Sequence, residues 1–303
     1  MKKILITGSS GTIGTRLCEK LLNLGYEIIG VDWKKNKWHE NLEKRTIHLD
    51  LRNKNLLFKK LPKKIDLIIH LAANARVYEL VKNPDLARDN IITTYNILEY
   101  AKINKIKNII FASSREVYGN TKKIKYEEGD VNIENCESPY SASKISGEVL
   151  VYSYHKCFGI NYIIVRFSNV YGMYDESDRV IPLFIRKAIT NENLVIFGKD
   201  KILDFTYIDD AIEGVIKAIQ RFNKAKNNIF NIATGKGTRI LFVAKLIKKF
   251  LNSKSRIIIK QNRPGEVEKY IADISKAKKL LNYKPRTNIV EGIKKTIEWY
   301  KFK

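Results

Sequence analysis

The sequence predicts an α/β protein, a doubly wound parallel sheet joined to a smaller α/β lobe. Short β-branched runs alternate with helical patterns over roughly the first 170 residues, which is βαβ grammar. A glycine-rich turn, Gly8-Ser9-Ser10-Gly11-Thr12-Ile13-Gly14, directly follows the first of these runs. Beyond about residue 170 the alternation gives way to helices mixed with a few short strands.

The elements follow in order. A strand is expected over Lys3 to Thr7 and a helix over Ile13 to Leu24, then strands at Glu27 to Asp32, Arg45 to His48 and Leu67 to Leu71. A helix from Asn83 to Asn104, a strand at Asn108 to Ala112, a helix from Ser141 to Cys157 and a strand at Tyr162 to Arg166 complete the count for a doubly wound sheet with right-handed crossovers. In the second part, strands are expected at Leu194 to Phe197 and Arg256 to Lys260. Helices are expected at Ile181 to Thr190, Ile208 to Arg221, Ile240 to Leu251, Ile274 to Leu281 and Ile289 to Tyr300. Residues 1–170 therefore read as one domain and 171–303 as a smaller lobe, with a segment near 204–218 returning to the first. No repeat of 20 to 50 residues suggests a solenoid.

At 303 residues the chain is long enough for a sizeable core, and 44% hydrophobic with 29% charged residues excludes a disordered or collagen-like class. The formal charge of +24 raises the question of a nucleic-acid or anionic-membrane partner. Its lysines are scattered in short runs, such as Lys34 to Lys37, Lys59 to Lys64 and Lys276 to Lys279, and no basic–aromatic interleaving forms an RNA platform. A solvated positive surface is the reading, with neither nucleic acid nor membrane as partner. Three widely spaced cysteines, Cys18, Cys136 and Cys157, suggest neither a disulfide framework nor a zinc site. With no signal-like or transmembrane-length apolar segment, a cytoplasmic protein is expected.

The glycine turn sits where a helix N-terminus faces phosphates. Glycines there permit a tight turn, close approach to a pyrophosphate and close helix packing. Asp32 ends the second strand, 18 residues after Gly14, where a carboxylate accepts hydrogen bonds from both hydroxyls of an adenosine ribose and repels a 2′-phosphate. NAD is thereby favoured over NADP, although Lys34 and Lys35 stand where they offset part of that charge. Asp50-Leu51 reads either as a contact to the adenine edge or as an ordinary strand-ending turn. His70-Leu71-Ala72-Ala73 supplies the small residues that a closely approaching dinucleotide requires.

Tyr140 and Lys144 lie four residues apart in Ser138-Pro139-Tyr140-Ser141-Ala142-Ser143-Lys144, on one face of a helix starting near Pro139. A cation beside a phenol favours the phenolate, so the pair is expected to bring the tyrosine pKa down toward the working range and to exchange a proton with an alcohol.

Together, Thr7-Gly8-x-x-Gly11-x-x-Gly14, Asp32, Asp50-Leu51, Leu71-Ala72-Ala73, Asn90, Ser113-Ser114-x-x-Val117-Tyr118-Gly119, Tyr140-x-x-x-Lys144 and Arg166-x-x-Asn169-Val170-Tyr171-Gly172 resemble the extended short-chain dehydrogenase/reductases, specifically the NAD-dependent nucleotide-sugar epimerase/dehydratase family. Arg263-Pro264-Gly265-Glu266 is similar to that family's substrate-lobe signature. The resemblance implies a Rossmann-type fold. It implies that Gly8, Gly11, Thr12, Ile13, Gly14, Asp32, Asp50, Leu51, Leu71, Ala72, Ala73 and Asn90 attend NAD. Asn90 would hold the catalytic helix or a water, or would simply pack.

By the same resemblance Tyr140 takes the proton of a sugar hydroxyl, Lys144 lowers its pKa and binds the nicotinamide ribose, and Ser114 hydrogen-bonds the reacting oxygen. Asn169 and Val180 would face the nucleotide-sugar, Arg263 its diphosphate and Glu266 its nucleoside ribose. A homodimer paired through helices around 89–102 and 141–157 is also implied.

Two departures bear on the reaction. Leu203 stands where many relatives have a diphosphate-contacting arginine, with Lys199, Lys201 or Arg239 as candidates to compensate. Arg115-Glu116 stands where dehydratases of the family have an Asp-Glu acid and base; Glu116 alone remains as a possible acid or base. The expected activity is 4-epimerisation of a UDP-hexose or UDP-uronate through a transient 4-keto intermediate. Decarboxylation, dehydration and net reduction on the same scaffold are the alternatives, with a catalytically inactive binding protein more remote.

Overall fold

The computed structural model describes residues 2–302. Seven parallel strands form the main sheet, in the order Asn228–Ile232, Asn161–Phe167, Asn108–Ser114, Leu67–His70, Lys3–Thr7, Glu27–Asp32 and Thr46–His48. Both faces are covered. Ile4, Ile6, Ile69, Ile110 and Val165 pack into one apolar layer, while Leu5, Ile68, Ile109 and Ile164 pack into the other. Burial on both sides is why these strands read as continuous β-branched runs rather than as polar–apolar alternation.

Strand order reverses at Lys3–Thr7, whose neighbours are Glu27–Asp32 on one side and Leu67–His70 on the other. In such sheets the crevice beyond the strand C-termini at this reversal is the ligand site. The glycine turn and Leu71-Ala72-Ala73 both leave the sheet there.

The helix Pro139–Phe158 starts where Ser138 accepts a hydrogen bond from the Ser141 amide, with Pro139 in its first turn, and ends at Gly159 in the left-handed conformation (φ 68°). It packs beside the helix Asp85–Ile103.

The smaller lobe holds a mixed sheet ordered Gly237–Arg239, Ile202–Tyr207, Lys269–Ala272, Lys125–Tyr126, with Asn169–Tyr171 also on Ile202–Tyr207. Leu194–Phe197 pairs separately with Ile257–Lys260. The chain then comes back to the main sheet. The helix Ile208–Gln220 packs on Thr12–Asn23, where Arg16 grips Asp209 through Nε at 2.6 Å and Nη2 at 2.9 Å, and Asn228–Ile232 forms the sheet's outer strand.

Several elements differ from the sequence reading. The expected helix Asn83 to Asn104 is the helix Asp85–Ile103, preceded by a separate short helix, Val77–Lys82, from which it is divided because Pro84 holds Asn83 out of the helical region (φ −133°, ψ 89°). Ala277–Leu281 is wound as a π-helix. The strand Ile202–Tyr207 and the sheet-edge strand Asn228–Ile232 were not anticipated. Nor was the participation of Lys125–Tyr126, from the first half of the chain, in the smaller sheet. No helix among the described residues is long and apolar enough to cross a membrane, and none of their His, Cys, Asp and Glu side chains gather into a metal-holding group.

Candidate active site

A cleft of about 770 Å³ runs from the glycine turn across the sheet reversal into the smaller lobe. At one end a cradle is built from close backbone approach. A Cβ at Gly8 (φ 72°) would come within 2.8 Å of the Ala72 nitrogen, and one at Gly14 within 2.0 Å of the Gly8 carbonyl oxygen. Only glycine fits either place, so amides at the start of the helix Thr12–Asn23 open toward the cleft unshielded. Gly11, Thr12, Ile13, Leu71, Ala72 and Ala73 line the same wall.

Asp32 closes this end. Its carboxylate accepts from the Ser10 amide at 3.0 Å and the Lys34 amide at 2.9 Å, while burial, the larger effect, raises its pKa. Lys34 lines the cleft and Lys35 does not. Leu51 lines it too. The Asp50 carboxylate, also at the cleft, is gripped by Arg52 at 2.6 Å, and Arg52 reaches Asp89 at 2.8 Å and lies over the Trp33 ring. These contacts make a strand-ending turn that still presents its edge to the cleft. The cradle, the carboxylate and the small-residue wall fit a dinucleotide with an unphosphorylated ribose.

Asn90 is fully engaged by protein. Its Oδ1 accepts from the Asn74 amide at 2.7 Å, and its Nδ2 donates to the Asn74 carbonyl at 3.0 Å and the Ser143 hydroxyl at 3.1 Å. It fastens the helix Asp85–Ile103 to the helix carrying Tyr140.

Tyr140, Lys144 and Ser114 come together at mid-cleft, all buried. Burial pushes the Tyr140 phenol above its ordinary value; hydrogen bonding with Ser114 and the charges of Arg179 and Arg115 oppose this, and Glu116 reinforces it. The pairing with Lys144 therefore does not produce the expected depression. Lys144 itself is driven down to about 8 by burial, and its Nζ donates to the Ala112 carbonyl at 2.8 Å. Its charge is weakened and its proton is directed at a backbone oxygen rather than at the phenol.

Glu116 is buried beside this group, its Oε1 2.6 Å from Arg115, and burial raises its pKa. Arg115 stands at the position where the resemblance puts a dehydratase's acid, and a guanidinium does not give up its proton in a protein.

The far end is cationic. Arg263 lies between the rings of Phe197 (3.7 Å) and Tyr78 (4.8 Å). Glu266 meets the buried Lys201 at 2.5 Å and Arg263 at 3.9 Å. Asn169, whose Nδ2 donates to the Asp204 carbonyl at 3.1 Å, and Val180 also line this part. Of the three candidate cations to compensate for Leu203, Lys199 and Arg239 are exposed outside the cleft and only Lys201 lines it. Sequence reasoning missed Arg179, Tyr78 and Phe197 as lining residues. Each lies outside the quoted motifs, and none carries a spacing that marks it.

Comparison with known proteins accords with this arrangement. Residues 4–233 match the sequence model of the NAD dependent epimerase/dehydratase family. A putative UDP-glucose 4-epimerase of Methanocaldococcus jannaschii is 35% identical, with 98% of each chain covered. The UDP-glucuronate 4-epimerase of Thermodesulfobacterium geofontis is 32% identical, covering 98% of this chain and 95% of its own. Among solved structures, the UDP-glucuronic acid 4-epimerase of Bacillus cereus in complex with UDP-glucuronic acid and NAD superposes with a TM-score of 0.89 at 31% identity, 99% of each chain covered.

Proposed function

Given that the chain belongs to the NAD dependent epimerase/dehydratase family, we propose that it is an NAD-dependent 4-epimerase of a UDP-hexose or UDP-uronate. The observation that carries this reading is the continuity of one cleft. It joins a dinucleotide cradle at Gly8–Gly14 to a buried Ser114, Tyr140 and Lys144 and on to a cationic end, with Arg115 in place of an elimination acid.

NAD, when bound, supplies a hydride acceptor and a positively charged ring. Gly8, Gly11, Thr12, Ile13 and Gly14 would hold its pyrophosphate, and Asp32 its adenosine ribose. Tyr140 removes the proton from the sugar's 4-hydroxyl and later returns it, while Ser114 holds the same oxygen. Lys144 supports the phenolate electrostatically. Rotation of the 4-keto sugar between the two proton transfers would offer the carbonyl's opposite face for return of the hydride held by the cofactor. The centre is inverted when hydride and the Tyr140 proton are given back, and no further acid or base is required. Glu116 stays paired with Arg115. Arg263 and Lys201 would take the diphosphate, Glu266 the nucleoside ribose, and Asn169 and Val180 the sugar side. Residues 1–170 would thus serve mainly the cofactor and 171–303 mainly the substrate.

A panel of UDP-sugars followed by mass spectrometry tests the reaction. Epimerisation leaves mass unchanged, and loss of water or carbon dioxide would refute it. We also propose a cytoplasmic homodimer paired through the helices Asp85–Ile103 and Pro139–Phe158, whose exposed Tyr95, Ile103, Val149 and Phe158 support the pairing. Light scattering at a monomer mass would remove it.

A further inference from the structure

Three successive residues at the end of the strand Asn108–Ser114 engage the helix Pro139–Phe158. The Ala112 carbonyl takes the Lys144 ammonium at 2.8 Å, the Ser113 hydroxyl donates to Glu148 Oε1 at 2.5 Å, and Ser114 lines the cleft with Tyr140 and favours its phenolate. Glu148 lies one helical turn beyond Lys144 on the same face. It is 5% exposed and does not itself line the cleft. A buried carboxylate is costly unless it is paired and fully hydrogen-bonded, and here it is both. Arg166, 2% exposed, donates from Nε to Oε1 at 2.9 Å and from Nη2 to Oε2 at 2.6 Å. Arg166 is fixed in turn by the Tyr118 hydroxyl at 3.1 Å and the Glu128 carbonyl at 2.7 Å.

We infer that Glu148 is a positioning residue for the catalytic pair: clasped by Arg166, its carboxylate stands one helical turn from Lys144 and acts on it electrostatically, and its bond to Ser113 fixes the strand end that presents Ser114. The other groups around Lys144 provide no such support. Tyr140 shares its helix and is neutral, and the Phe111 ring from the neighbouring strand lies 5.3 Å away. His70, from the strand Leu67–His70, is held neutral by burial. Asp89 on the helix Asp85–Ile103 is taken by Arg52 and Arg88. Glu148 is the carboxylate whose field raises the Lys144 pKa against burial. The kinetic part of this inference rests on the epimerase reading; the titration of Lys144 does not.

The test is the titration of Lys144, followed by NMR of protein labelled at lysine Cε and assigned with Lys144→Arg. Glu148→Gln removes the charge but leaves Arg166 unpaired, so the charge-neutral pair Glu148→Gln/Arg166→Met is made alongside it. In both, Lys144 should lose its proton about half a pH unit or more below the parent. The alkaline limb of kcat should follow, with NAD affinity by calorimetry unchanged. An unmoved Lys144 titration in either folded variant overturns the inference, since a purely structural role lowers activity equally at every pH. An inactive parent whose Lys144 titration moves refutes the epimerase reading instead. Should both charge variants fail to fold, Ser113→Ala keeps every buried charge and decides. A roughly tenfold fall in kcat at unchanged KM supports the positioning role, and full kcat overturns it.

Discussion

The Lys144 ammonium sits 5.9 Å from the centre of the Tyr140 ring and gives its hydrogen bond to the Ala112 carbonyl, not to the phenol. The two side chains share a helix face, yet the cation supports the tyrosine only through space. With burial the dominant influence, the protein alone keeps Tyr140 protonated. A second positive charge is needed to make it a base, and NAD carries one.

Removing NAD should therefore change the tyrosine. In cofactor-free protein the Tyr140 ionisation, isolated as the ultraviolet difference between parent and Tyr140→Phe, should lie above pH ~10 and move downward when NAD is added. The folded pKa is raised, so the phenolate is absent at neutral pH until a cation opposes the burial. Identical curves with and without NAD would defeat this account.

Tyr140→Phe keeps the ring and removes only the proton acceptor. Its kcat should fall about 10²–10⁴-fold, the usual range for a lost general base, with NAD affinity nearly unchanged. Titration calorimetry and steady-state rates separate the two effects. A variant with normal kcat would displace Tyr140 from the chemistry.

How far the sequence speaks depends on what each residue reports. Gly8 and Gly14 are legible because close backbone approach requires glycine at that spacing, and Asp32 because it ends the second strand at the cleft. The strand Ile202–Tyr207 is hidden by Asp204, a wholly buried carboxylate that accepts from the Thr234 amide and hydroxyl and the Gly235 amide. A charged residue mid-strand breaks the apolar pattern, and its partners lie some 30 residues away. The direction of the Tyr140 shift was equally out of reach. Helix spacing gives the neighbour at i+4 but not the burial that outweighs it. Arg179 caps the start of the helix Val180–Ile189 and Phe197 ends the strand Leu194–Phe197, and no local pattern encodes that these positions face the cleft.

Gly14 has no room for a side chain, since a Cβ would meet the Gly8 carbonyl oxygen at 2.0 Å. Gly14→Ala must push the turn away from the helix, and overpacking of this kind costs about 1–3 kcal/mol. A lowered melting temperature together with weakened NAD binding is expected. Unchanged NAD affinity would mean that the turn does not form the pyrophosphate cradle.

His70 is buried between the Thr7 hydroxyl at 2.7 Å and the Thr94 hydroxyl at 3.2 Å, and burial lowers its pKa to about 3. Because the folded value is depressed, its contribution to stability is complete above the unfolded value near ~6.5 and is lost as pH falls toward the folded one. The limiting slope is about 1.4 kcal/mol per pH unit. Urea denaturation between about pH 6.5 and 4.5 should show His70→Gln losing less stability than the parent. Parallel curves would show that His70 is not titrating on unfolding.

Lys201 precedes Leu203 by two residues, and on an extended strand that spacing points both side chains to one face, here the cleft. The lysine is 4% exposed and its charge is met by Glu266 at 2.5 Å. A diphosphate entering this end would compete with Glu266 for Lys201 and Arg263, freeing the carboxylate to accept ribose hydroxyls. Lys201→Met should therefore raise KM for the UDP-sugar about tenfold or more, the worth of one charge-assisted hydrogen bond, with kcat little changed. Placing arginine at the neighbouring position, Lys201→Met/Leu203→Arg, should recover much of that loss, because the guanidinium reaches the same face one pleat further along. A purely structural Lys201–Glu266 pair would not be rescued this way. If the single variant keeps its KM, the diphosphate is held by Arg263 without help from Lys201.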